Sequence, residues 1–227
     1  MDIFVAPEVW YDTEQIRESV IFSNWSKRLP DNWQGSVTIL DVGWGGEIHV
    51  ISMEVRHSGT PHPVKVLLRS ATVDVLMRIK SPRTDHVVFV KQLREAVPGM
   101  VLSNVAGGID GNEEPEQAAK REASEELNLS DISADYELEL TRLVNAPLLA
   151  SPGIINEEVH FFMATLTVSL ADIAELLESL EDKRTGLTAE GEDLHLAVVK
   201  ASEAKEFILS QPHPCAKTLL SLLAAGL

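Results

Sequence analysis

Glu122, Glu125 and Glu126 stand at i, i+3 and i+4 of a segment opened by Pro115, and this spacing constrains the chain more than any other feature. On a helix the three carboxylates share roughly one third of the circumference. Pro115 suits a first helical turn, where the missing N–H has no intrahelical partner. Glu113, Glu114 and Glu116 favour the positive end of the helix dipole, and Asn128 suits the left-handed residue that follows a last turn. Like charges at these spacings repel by about 0.2–0.5 kcal/mol per pair. Arg121 supplies one positive charge against three, so a further cation is expected, and a carboxylate set selects Mg²⁺ or Mn²⁺ over zinc. An acidic helix face alone is most often solvated surface. What sets this one apart is Ala106-Gly107-Gly108 ahead of it, which lets the backbone run close enough for a main-chain carbonyl to join the carboxylates.

The rest of the chain excludes other classes. Its 227 residues carry 44% hydrophobic and 24% charged side chains, the composition of a folded globular protein with one large domain or one domain and a smaller companion. A net charge of −16 with no basic run disfavours nucleic acid as a partner. The one cysteine, Cys215, permits neither an intrachain disulfide nor a thiolate metal cluster. Met1-Asp2-Ile3-Phe4 lacks the basic start of a secretory leader, and the apolar tail from 218 to 227 is about half the length of a membrane span. A soluble, cytoplasmic protein is the expectation.

All four tryptophans (Trp10, Trp25, Trp33 and Trp44) lie in the first third, where a helix is expected over 12–22 and a hairpin over 37–55. Turn chemistry at 58–63 marks the expected boundary between an N-terminal segment, 1–63, and a catalytic domain, 64–227. Beyond it, strands are expected at 73–77, 87–90, 100–102, 137–144, 158–168 and 194–199. Further helices are expected at 169–180, capped by Ser169, and at 202–209 and 216–223. This order predicts a mixed sheet packed between helices.

Gly107, then Glu113 after five residues, then after seven more Arg121-Glu122-Ala123-Ser124-Glu125-Glu126-Leu127-Asn128-Leu129, resembles the signature of the Nudix hydrolases, with Asn128 in place of the family's glycine. The resemblance implies an α/β (α+β) fold: an α/β/α sandwich with a mixed sheet, here joined to a small N-terminal β-rich domain. It also implies hydrolysis of a nucleoside diphosphate linked to another moiety, with Mg²⁺ (Mn²⁺ possible) as cofactor. Ala106, through its carbonyl, Glu122 and Glu126 match metal ligands. Glu125 matches the third helix carboxylate, and Arg121 matches the residue that holds the glutamates in place.

Three further segments resemble the ADP-ribose and nucleotide-sugar pyrophosphatase branch. Arg94 matches an arginine presented to the diphosphate at a strand end. Ser151-Pro152-Gly153 followed by Glu157 matches a substrate-contacting segment. Ala189-Glu190-Gly191-Glu192-Asp193 matches an acidic loop, with Glu190 as general base and Glu192 supporting a metal. The same branch implies a homodimer built through the N-terminal segment, with one of its aromatics stacked on the base. Ser103-Asn104-Val105 departs from the branch's Glu-Leu-Pro. The resulting expectation is an Mg²⁺-dependent homodimer cleaving ADP-ribose to AMP and ribose 5-phosphate, with UDP- or GDP-sugar hydrolysis as the enzymatic alternative and a non-catalytic ligand sensor as the rival of another class.

Overall fold

The computed structural model describes residues 1–43, 48–127, 138–186 and 193–227, which form two compact units. The first comprises Met1–Ala71 together with Leu148–Val159. Its strands β1 (Asp2–Val5), β2 (Gly35–Val42), β3 (Val50–His57) and β4 (Val64–Arg69) form one sheet in chain order, with β1 parallel to β2 and the others antiparallel. Alternation buries Val37 and Ile39 on β2. A register shift between Ile39 and Asp41 then changes the phase, so that Val42 is buried next. Helices α1 (Thr13–Glu18) and α2 (Val20–Ser26) add Ile16, Ile21 and Phe22 to this core, where Trp25 and Trp33 also pack.

The single helix expected over 12–22 is therefore two. Asp12 caps α1 in a reciprocal capping box with Gln15. Ser19 then takes an extended ψ of 139° and ends it, its hydroxyl donating to the Ile16 carbonyl. Residues 58–63 form the turn between β3 and β4. Neither β1 nor β4 is among the strands expected from sequence.

The chain returns to the first unit at β10 (Leu148–Leu149), which pairs with the first two residues of β11 (Glu158–Thr167). Between them, Ile155 bridges Leu67, and the Leu67 N–H donates to the Ile154 carbonyl at 2.8 Å. Deleting residues 1–60 would strip β4 of β3 and remove most of the apolar core that β4 packs with, leaving residues 148–159 bonded to an unsupported strand. Such a truncation should collect in the insoluble fraction. A soluble, active product by sedimentation and size-exclusion chromatography would refute that account.

The second unit holds a mixed sheet. Its strands β5 (Thr72–Lys80), β6 (His86–Arg94), β7 (Gly99–Ser103), β8 (Val105–Gly108), β9 (Leu138–Arg142), β12 (Arg184–Thr185) and β13 (Leu194–Lys200) join β11. The central order is β11-β5-β6-β13-β12, while β8 also pairs with β5, β7 with β6 and β9 with β11. On β5, Val73, Val75, Met77 and Ile79 face one core with the helices α3 (Pro115–Leu127) and α4 (Ile173–Leu180). Leu76 faces another with α5 (Ala204–Leu209) and α6 (Ala216–Ala225). Phe89 and Val87 on β6 join Leu76, whereas Val88 and Val90 join the first core. Period-two strands that are apolar on both faces must be covered on both, and the sheet lies between helices as expected.

Helix α4 begins later than expected. The Ser169 hydroxyl accepts the Ala171 and Asp172 N–H groups and so caps a turn ahead of the helix, leaving Leu170 exposed rather than on the buried stripe. Among the described residues no helix is long and apolar enough to cross a membrane.

Candidate active site

The acidic helix is α3. Ala118, Ala119, Ala123 and Leu127 form its buried stripe, and alanines let a helix approach the strands beneath it closely. At 3.6 residues per turn, Glu126, Glu122 and Glu125 lie progressively farther round from Ala123. Their exposure follows that order: Glu126 is 6% exposed, and the Glu122 and Glu125 side chains are 12% and 34% exposed. The acidic face is thus graded, with its deepest carboxylate buried.

Arg121 is the hub. Its Nε and Nη2 donate to the two Glu113 oxygens at 3.2 and 3.0 Å, Nη1 donates to Glu122 at 2.7 Å and Glu125 at 3.1 Å, and Nη2 donates to the Gly108 carbonyl at 2.9 Å. A planar fork of five donors can serve this many acceptors, whereas a lysine ammonium cannot. The hydrogen bonds that Arg121 donates to Glu113 and Glu122 hold the guanidinium firmly in its charged form. Reciprocally, the Arg121 hydrogen bond holds the Glu113 carboxyl below its ordinary value of 4.5. Glu113 therefore favours the folded state above that value, and its contribution fades as pH falls through its lowered pKa. Melting curves between about pH 6 and pH 3 should show a steeper acid loss for the wild type than for Glu113→Gln. Parallel curves would exclude the pair as a source of acid sensitivity.

The loop facing these carboxylates is β8. The Ala106 N–H donates to Glu126 Oε1 at 3.4 Å, although Ala106 lies opposite Asp74 on β5. An N–H directed away from the partner strand marks a non-hydrogen-bonded pair, in which the carbonyl of the same residue also points away from that strand. The Ala106 carbonyl is therefore free of the β5–β8 ladder. At the next residue, a Cβ added to Gly107 would overlap the Glu122 carboxyl group. Glycine here is a requirement of close approach rather than of an unusual backbone angle.

Ala106, Arg121, Glu122, Glu125 and Glu126 are thus brought together in the second unit, with Glu113 and the Gly108 carbonyl as further partners of Arg121. Arg94 ends β6, opposite Gly99, and is exposed. Pro152, Gly153 and Glu157 belong to the first unit. There the 151–155 turn is closed by N–H groups of Ile154 and Ile155 donating to the Ser151 carbonyl, and buried Glu157 lies 3.4 Å from Arg69. Glu190, Glu192, Asn128 and Trp44 lie outside the described residues.

A family model described as NUDIX domain matches residues 69–198, more than half of the chain. The chain belongs to the Nudix family. No curated protein matches it. As a Nudix hydrolase it acts on nucleoside diphosphates linked to another moiety, and α3 is its Nudix helix. Divalent cations are the general cofactors of Nudix enzymes, and the residues present fit one. Glu122 and Glu126 are hard oxygen donors set against the 106–107 backbone, in a cradle that a Cβ would fill. Among the described residues no three His, Cys, Asp or Glu side chains form a ready-made cluster.

Proposed function

We propose that this chain is an Mg²⁺-dependent pyrophosphatase that hydrolyses ADP-ribose to AMP and ribose 5-phosphate. The observation that carries the metal-dependent reading is the placement of Glu122 and Glu126 against Ala106 and Gly107 under the control of Arg121. The choice of ADP-ribose is supported by the resemblance of Arg94, the 151–157 segment and the acidic loop to that branch.

In this reading Glu122, Glu126 and the Ala106 carbonyl hold the cation, with Glu192 as a further ligand. When bound, it neutralises charge on the diphosphate oxygens and makes a bound water more acidic. Arg121 touches neither substrate nor water. It orients Glu113, Glu122 and Glu125 by hydrogen bonds, a positioning role. Arg94 binds the diphosphate, and Pro152, Gly153 and Glu157 contact the substrate. Glu190 takes the proton from the attacking water, and Glu125 assists as the most exposed of the three carboxylates at 122, 125 and 126. A protein of charge −16 must mask its own field to accept a polyanion, and cation and arginine together do so.

The homodimer is part of the same proposal. Phe4 on edge strand β1 and Trp10 are 57% and 84% exposed, which supports the N-terminal segment as the dimer surface. A substrate panel under Mg²⁺ tests the whole reading. ADP-ribose should release AMP fastest, with UDP- and GDP-sugars slower by about tenfold or more, the discrimination of one unsatisfied base contact. Preference for a UDP- or GDP-sugar would reassign the substrate, and tight ADP-ribose binding without turnover would make the protein a sensor.

A further inference from the structure

Residues 99–108 form one extended run that changes partner midway. Ser103 pairs with Val90 of β6, Val105 pairs with Val75 of β5, and Asn104 stands at the switch between the two ladders. Its main-chain N–H and side-chain NH2 are satisfied from outside the two ladders. The Asn104 N–H donates to the Thr218 hydroxyl of α6 at 3.1 Å, and its side-chain amide donates to Asp74 Oδ1 at 2.5 Å. The Ser221 hydroxyl, one turn beyond Thr218 on α6, donates to the same Asp74 oxygen at 2.6 Å. All four residues are buried. Asp74 occupies the β5 phase that carries Leu76 two residues on, so an apolar side chain would suit the packing there. A buried polar network in such a place costs stability relative to apolar replacements, and its best-attested return is a fixed register.

Register is what this site needs. Asp74 lies directly opposite Ala106, and Gly107 is the next residue on β8. Slipping β8 by one residue would bring Ala106 into the place where a Cβ collides with Glu122. It would also turn the Ala106 N–H away from Glu126. We infer that Asp74, Asn104, Thr218 and Ser221 are positioning residues for the Ala106–Gly107 backbone, through which the C-terminal helix α6 sets the cation affinity of the Nudix helix. This inference rests on the reading of Glu122, Glu126 and Ala106 as cation ligands.

The test uses the full-length protein and Mn²⁺ alone, followed by calorimetry, with backbone hydrogen exchange at Ala106 and Gly107 in the absence of metal. Two variants are compared. Asp74→Leu combined with Asn104→Leu replaces the central pair by apolar groups that keep the core filled. Ser221→Ala removes one donor and provides a milder case should the double variant not fold. Both should bind Mn²⁺ more weakly, by roughly 10–100-fold for the double variant, the usual effect of losing outer-shell support. Exchange at Ala106 and Gly107 should quicken while exchange across β5–β6 does not. Ser221→Thr, which keeps the hydroxyl, should restore affinity. Wild-type Mn²⁺ affinity and unchanged exchange in the folded variants would overturn the inference. Failure of the wild type itself to bind Mn²⁺, with Glu126→Gln indistinguishable from it, would overturn the cation reading on which the inference depends.

Discussion

Glu126→Gln is expected to fold with a melting temperature close to that of the wild type and to lose nearly all turnover. The substitution preserves shape and an acceptor oxygen, so the 3.4 Å contact from the Ala106 N–H survives although the side chain is buried. Replacing a carboxylate by an amide also removes a like-charge neighbour of Glu122, four residues back, worth a few tenths of a kcal/mol in the metal-free protein, about 0.2–0.5 kcal/mol. What is lost is one unit of negative charge at a cation ligand. Removing it should lower kcat/KM by about a hundredfold or more, with excess Mg²⁺ recovering only part of the loss. Wild-type turnover at saturating Mg²⁺ would mean that Glu126 is not a ligand.

Gly107→Ala should give an equally inactive protein for the opposite reason, since it changes no charge. The added methyl overlaps the Glu122 carboxyl group, but that group is the far end of a flexible side chain and can rotate away. The fold therefore loses at most about 1–3 kcal/mol, the range for modest overpacking. The site loses more. Glu122 must abandon both the 107 backbone and its 2.7 Å contact with Arg121. Activity should fall by roughly a hundredfold while circular dichroism stays native. A Gly107→Ala enzyme with normal kcat/KM would show that Glu122 can work from another rotamer.

Much of this site is legible in the sequence because it is local. Helical spacing alone puts Glu122, Glu125 and Glu126 together, and paired glycines announce a close approach. Strand alternation likewise exposes the two-faced burial of β5 and β6. What escapes sequence reading depends on partners far along the chain. Asp74 reads as an interruption of an apolar strand and Asn104 as a departure from a branch pattern. Only the fold joins them to Ser221, 147 residues from Asp74. Equally, nothing local announces that residues 148–159 return to the N-terminal sheet, since the signal is a bridge between Leu67 and Ile155. The break at Ser19 was hidden for a different reason: helical periodicity runs on either side of it, and one serine with a hydroxyl bonded back to Ile16 suffices to interrupt it.

That return of residues 148–159 sets a timetable for synthesis. The outer edge of β4 is met by Ile154, whose carbonyl accepts the Leu67 N–H, and by Asn156, whose side chain accepts the Arg69 N–H at 2.9 Å. None of these partners exists when Ala71 leaves the ribosome. Between residues 71 and 159 lie 159 − 71 = 88 further additions, which at about 5–20 residues per second take roughly 4–18 s. For that interval the N-terminal sheet carries an edge with unpaired main-chain groups, the feature through which nascent chains on one polysome join strand to strand. Yield in a host should therefore respond to translation speed between the emergence of Ala71 and the emergence of Val159 more than to speed at any later stage, because only that interval lengthens the exposure.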